Sequence, residues 1–184
     1  AIYAGVGGSD AVQFLTQSLQ FGLKKPLIGG TILVDSSVLA AKADIVSAAI
    51  GTIAAGPVPP ADYHSAEWDS FVASYLKVPG HYPSPSIFAI LYYNSFKSLL
   101  AGLNAVKGDL SGNQAKLRAA LGSLKWNTPT GPLSMDKNRN AITSTFIYQV
   151  VADGKGGLTT KNIKRFDNVA QGTKVYGRVN SCAD

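Results

Sequence analysis

The first third of the chain alternates short apolar blocks with amphipathic ones. "AIYAGV" opens as a strand, a glycine turn follows, and Val12, Leu15 and Leu19 then share one face at helical spacing, predicting a helix over 10–21. Ser9 or Asp10 supplies its N-cap, and Gly22 fits the C′ position with lysines close behind, near the negative end of the helix dipole. "PLIGG" predicts a second buried strand, "DSSVLAAKA" a short helix capped by Asp35 or Ser36, and "VSAAIGTIAAG" a third strand. Strand–helix–strand–helix–strand at this spacing calls for an α/β fold, a parallel sheet covered by helices.

The texture changes at "GPVPPAD" (56–62), where three prolines make a stiff, extended connection. A helix is expected over 65–76, a break at "VPGHYPSPS", and then the longest helix, over 86–106. Phe88, Tyr92, Phe96, Leu99, Leu103 and Val106 form a stripe on it at helical spacing, so Tyr92, Tyr93 and Phe96 are expected in the core. A short helix covers 113–121. From Trp126 the pattern turns β-rich: "TGPLSMD", a polar "KNRN" turn, and a long hairpin with 153–157 at its tip. Trp68 and Trp126 are expected to anchor helix packing, "TPTGP" to fix a crossing strand, and Lys161, Lys164 and Arg165 to be solvated. A parallel sheet rarely begins at an internal strand with nothing before it to cover it. Ala1 opens directly on such a strand, so the chain reads as part of a larger protein.

Composition narrows the function classes. With 46% hydrophobic and 15% charged residues among 184, the chain can bury a core and does not read as disordered. No apolar run approaches the ~20 residues of a membrane span, and no basic-then-apolar leader opens the chain; any targeting peptide is expected to be removed or to lie outside it. The net charge of +6 is scattered, without the basic stripe and stacking aromatics of a nucleic-acid binder. Glu67 is the only glutamate, which gives little support to a paired-carboxylate enzyme. Cys182 is the single cysteine, and His64 and His81 lack partners at ligand spacing, so no metal is expected.

The glycine cluster Gly5-Val6-Gly7-Gly8-Ser9-Asp10 follows a strand and opens a helix, as a dinucleotide site does. Asp10, however, stands where the third glycine of that fingerprint belongs, and its carboxylate would repel a pyrophosphate. No Lys-Ser/Thr pair follows the glycines either, so no nucleotide cofactor is expected. What remains is bare backbone at the C-terminal edge of a parallel sheet and at a helix N-terminus. That is either a ligand site or simply a tight turn.

Three stretches together resemble one family. They are "IYAGVGGSDAVQFLTQSLQFGLKKPLIGG", "SAEWDSFVASYLKVPG" before "PSPSIFAILYYNSFKSLLAGLNAV", and "LKWNTPTGPLSMDKNRNAITSTFIYQVV". In order and spacing they are similar to the second half of the periplasmic substrate-binding proteins of branched-chain amino-acid-type ABC importers. The resemblance covers nearly the whole chain. It implies part of a two-lobed type I periplasmic-binding fold: residues 1–55 as the latter part of the second lobe, 56–125 as a hinge crossing and helices of the first lobe, and 126–184 as the last crossing with strands closing on the second lobe. It further implies a periplasmic, non-enzymatic solute receptor without cofactor. Its partners would be a small amino acid or carboxylate, a membrane permease, and the missing N-terminal part of the same protein. A ligand-sensing regulatory domain of the same fold is the alternative, and an α/β enzyme a more distant one.

The resemblance also places ligand-binding positions. Gly7, or its neighbour Gly8, matches a site where aliphatic amino-acid binders can carry an aromatic cover, with Ser9 beside it at the helix start. Thr31 matches an acidic residue that holds the ligand's ammonium group, and Phe88 an aromatic wall. A threonine cannot neutralise a buried ammonium ion, and glycine in place of an aromatic frees volume. The expected ligand therefore need not carry an α-amine and can be bulkier than leucine, such as an aromatic carboxylate.

Overall fold

The computed structural model describes residues 1–41 and 45–171, so Cys182 lies outside the described residues. Two compact units emerge: Ala1–Ile90 with Thr145–Arg165, and Leu91–Ser144 with the described residues from Phe166 onward.

In the first unit, β1 (Ile2–Ala4), β2 (Leu27–Gly30) and β3 (Ile53–Gly56) are parallel neighbours in that order, as the alternating pattern requires. Helix α1 (Gly8–Gln20) joins β1 to β2. Its N-cap is Gly7, with no side-chain cap, which moves the start ahead of the expected Ser9 or Asp10; Asp10 instead sits in the first turn, where the dipole favours a carboxylate. Its end follows expectation. Gly22, at φ 64°, donates to Leu19, and Leu23 donates to Ser18, the paired bonds of a Schellman cap.

Between β2 and β3 lie a 3₁₀ turn (Thr31–Val34), helix α2 (Ser36–Leu39) capped by Asp35, and helix α3 (Val46–Ala49). Here the expected third strand is corrected: its first half is α3, and only Ile53–Gly56 is strand. An apolar run looks the same as a buried strand or as one buried helix turn, and the crossover to a parallel neighbour demands the helix. Ile45 and Ala49 join Leu15, Leu33, Val34 and Val38 in one core against Ala4, Leu27 and Ala54 of the sheet.

After β3, helix α4 (Ala66–Tyr75) is capped by Ser65, whose Oγ accepts from Trp68 N at 3.1 Å, and Trp68 packs with Val58 and Ile90 as expected. Helix α5 (Ile87–Ala105) starts in this unit and lies mostly in the second. Of β6 (Ala141–Ala152), the later part pairs antiparallel with β3, and β7 (Leu158–Val169) pairs with β6. Asp153 caps the hairpin tip by accepting from Lys155 N and Gly157 N at 2.7 and 2.8 Å. Arg165 is not simply solvated: its Nη1 donates to the Tyr63 hydroxyl at 2.9 Å and its guanidinium lies over Tyr63 and Phe146.

In the second unit, β4 (Lys125–Thr128) and β5 (Gly131–Met135) form a hairpin, and β5 pairs with the start of β6. The "TPTGP" segment is the tight turn of that hairpin, where Thr128 Oγ1 accepts from Thr130 N and donates to Gly131 O. Helix α6 (Ser111–Gly122) becomes regular only after Gln114. The expected core stripe of α5 is reversed: Tyr92 is 75% and Phe96 61% exposed, with Tyr93 and Leu99 also exposed, while Asn94 and Ser98 are buried. The reason is close packing on small residues. A Cβ on Gly102 would meet Leu121 at 2.7 Å and Leu117 at 3.1 Å, and Trp126 Nε1 donates to Ser98 Oγ at 3.0 Å. Hydropathy selects the aromatic face of this helix, whereas its neighbours pack on the small one.

Candidate ligand-binding site

Because β1, β2 and β3 run parallel, the loops after them leave the same edge of the sheet. They are the glycine turn, the Thr31–Val34 turn and the proline run 57–60. Gly7 is extended (φ −151°, ψ 173°), and no side chain caps the helix it starts. Its lack of a side chain is a packing requirement, because a Cβ there would fall on the side chain of Ile32. Gly8 differs: at φ 57° it is left-handed, and nothing lies within 4 Å of where a Cβ would be. The space left by this turn is therefore filled by Ile32 at Gly7 and open at Gly8. Ser9 is exposed in the first helical turn.

Thr31 is only 3% exposed, and its Oγ1 is buried without a hydrogen-bond partner. It stands against Gly56, whose missing side chain makes room for that hydroxyl. Thr31 lines a cavity of about 490 Å³ together with Asp35, Val58, Pro60, Trp68 and Tyr148. Gly7, Gly8, Ser9 and Phe88 do not line it. Phe88 is 56% exposed on the first turn of α5.

Asp35 ties the β2 loop to the start of α5. One carboxylate oxygen accepts from Ile87 N at 2.6 Å, and the other from Ser37 N and Ser37 Oγ at 3.2 and 2.6 Å. Beside it Ser36 Oγ donates to Ser84 O at 2.8 Å. The charge of Asp35 is thus met by three donors, one of them at the positive end of a 19-residue helix. Tyr148 is 2% exposed, and burial pushes its hydroxyl up to about 12; the adjacent Thr31 hydroxyl, which completes no hydrogen bond with it, pulls the other way, and the Asp35 carboxylate adds a smaller upward push. The sequence marked Asp35 only as a cap and Tyr148 only as a strand residue. Nothing in a linear pattern brings residues 35, 68 and 148 to one cavity.

The cavity lies at the C-terminal edge of a parallel sheet, where ligands bind in open α/β sheets, and its lining mixes apolar side chains with Asp35, His64, Asp69 and the unmet Thr31 hydroxyl. The chain belongs to the periplasmic binding protein family, which it matches over residues 1–155. Solved structures agree in fold. A solute-binding protein of an ABC transporter from Rhodopseudomonas palustris BisB5, in complex with 3,4-dihydroxybenzoic acid, is 28% identical with a TM-score of 0.79; the match covers 94% of this chain and 46% of that one. A second R. palustris solute-binding protein, in complex with benzoate, is 25% identical with a TM-score of 0.73 over 91% of this chain and 43% of that one. A leucine-binding protein from Thermotoga maritima shares the fold at 18% identity and a TM-score of 0.66, covering 90% of this chain and 44% of that one. The chain thus spans somewhat under half the length of these relatives. No curated protein matches the sequence significantly.

Proposed function

We propose that the chain forms the latter part of an extracytoplasmic solute-binding component of an ABC importer, one that binds an aromatic or similar small carboxylate rather than an α-amino acid. In this reading residues 1–55 belong to the second lobe of a two-lobed receptor, 56–125 to a hinge crossing and helices of the first, and 126–184 to the last crossing and closing strands. The protein does no chemistry. Ligand-stabilised closure presents it to a membrane permease.

The observation that carries the ligand class is Thr31, a buried and unpartnered hydroxyl where the family resemblance implies an acidic residue. A hydroxyl donates well to a carboxylate or phenolic oxygen but leaves an ammonium ion without countercharge. Asp35 lines the same cavity, but its carboxylate already accepts from Ile87 N, Ser37 N and Ser37 Oγ, so an ammonium group there would compete with donors of the protein itself. Gly7, Gly8, Ser9 and Phe88 lie outside the cavity that Thr31 lines, and they enter this reading through the family resemblance alone, as uncapped helix N–H groups for a polar end and a wall for a ring. The two benzoate-type ligands of the relatives above fit the same class.

Calorimetric titration of the full-length gene product with benzoate, 4-hydroxybenzoate and leucine tests the reading. Binding of the benzoates is expected, weakened about tenfold in Thr31→Val by loss of one hydrogen bond. Tight leucine binding with no response to either benzoate overturns it.

A further inference from the structure

A second cavity of the first unit lies at the other end of its sheet. It measures about 570 Å³ and opens where the strands begin, between the end of α1, the start of β2 and the 50–52 turn that leads from α3 into β3. None of its lining residues belongs to the Thr31 cavity. Four-residue strands separate the two, a span of ~13 Å. Three features of its lining are left over by the fold. Leu19 shares a helical face with the buried Leu15, yet it is 42% exposed, and Leu23 and Ile50 are exposed as well. Lys24 and Lys25 are exposed, neither is ion-paired among the described residues, and no carboxylate lines the cavity with them. Thr52 is 1% exposed, and its Oγ1 is buried without a hydrogen-bond partner.

The Thr52 hydroxyl is fixed in place by its own backbone. Thr52 N donates to Ala49 O at 3.1 Å, and Thr52 O accepts from Val150 N at 3.0 Å. Gly51 before it, at φ 86°, donates to Val150 O. One step before the paired Ile28 and Ile53, Thr52 stands beside Leu27 on the face of the sheet that packs against α1 and α3. The other buried hydroxyl of the lining is already met, since Ser18 Oγ donates to Phe14 O at 2.7 Å. An unmet buried hydroxyl is costly until something completes it. Apolar walls with a few polar groups are how small-molecule sites are built. Here the polar groups are two ammonium ions and a hydroxyl, all able to donate to an oxyanion. A cation would meet two like charges and no carboxylate, and a wholly apolar occupant would leave Thr52 unmet.

We propose that this cavity is a second binding site, for a small amphiphilic anion. Its carboxylate head is taken by Lys24, Lys25 and the Thr52 hydroxyl, and its apolar body lies on Leu19, Leu23 and Ile50. The site stands at the opposite edge of the sheet from the Thr31 cavity and does not depend on the function proposed for that cavity.

The test titrates octanoate into the full-length gene product by calorimetry, with octanol and octylammonium as the neutral and cationic counterparts. Saturable octanoate binding is expected, about tenfold tighter than that of either counterpart. Lys25→Glu should weaken it by about tenfold. Lys161→Glu, the same change of charge on an exposed position of β7, should leave it unchanged. Ser47→Trp, which sets a bulky side chain at an exposed position of the lining, should abolish it. Thr52→Val separates binding from folding. Loss of an unmet hydroxyl should hold or raise the melting temperature of the free protein, while octanoate binds about tenfold more weakly. Octanol or octylammonium binding as tightly as octanoate would overturn the proposal. So would an absence of saturable binding, or an octanoate affinity untouched by both Lys25→Glu and Ser47→Trp, which would assign the heat to another part of the protein.

Discussion

Tyr148 offers a sharp test of how the cavity is built. Its hydroxyl is raised from 10.0 to about 12, chiefly by burial in the core beside the sheet, with the Asp35 carboxylate adding to the effect. An unfolded chain releases this proton near the ordinary value, while the folded chain holds it until about pH 12. The contribution to stability is therefore complete below about pH 10 and is lost as the pH climbs toward 12. At ~1.4 kcal/mol for each tenfold change in proton affinity, the full loss is about 3 kcal/mol, a large share of a domain's stability. Urea unfolding followed by circular dichroism, on wild type and Tyr148→Phe, isolates it, because the remaining tyrosines and lysines are common to both. Between about pH 9 and pH 11.5 wild type should lose about 2 kcal/mol more than the variant. Parallel curves would refute the reasoning, since they would mean that the hydroxyl is solvated in the folded protein.

Other consequences are local. Gly7→Ala should destabilise by about 1–3 kcal/mol by driving a methyl into Ile32, and Ile32→Ala in the same chain should recover much of the loss in thermal melts. Gly8→Ala, with open space around it, should show only the smaller penalty of a left-handed backbone. Asp35→Ala strands the Ile87 and Ser37 donors and should lower stability by about 1–3 kcal/mol, with faster amide exchange at Ile87 as its local signature. Asp109, held near 2 by Lys116 and by Ser111, should show that midpoint in a carboxyl NMR titration. Its midpoint should rise in Lys116→Ala; an unchanged value would show that the ion pair does not form in solution.

The two glycines at the head of α1 separate what sequence and tertiary structure each decide. That a turn lacking side chains stands between a strand and a helix is plain from the chain, as is the misplaced Asp10 that argues against a nucleotide. That Gly7 is bare for Ile32 and Gly8 bare toward open space depends on how the loop after β2 folds back, and spacing carries no record of it. The long helix makes the same point from the opposite side. Its periodicity located it within a residue at each end, yet the face it buries is the small one, because Leu117 and Leu121 approach Gly102 and Trp126 reaches Ser98. Hydropathy registers how much a face would gain by burial, and only neighbours determine which face is buried.

The sequence by itself determined the α/β class, the order of strands and helices except for α3, the Schellman end of α1 and the β6–β7 hairpin, because caps, turns and short-range periodicity act within a few residues. The family resemblance also singled out Thr31, a neutral residue where an acidic one is implied. Tertiary structure alone decided that its hydroxyl is buried without a partner, that Asp35 spends its charge on the start of α5, and that Tyr148 stands beside both. Those are contacts across 52 and more than 100 positions of chain, and they depend on strand order and register, which local patterns do not encode.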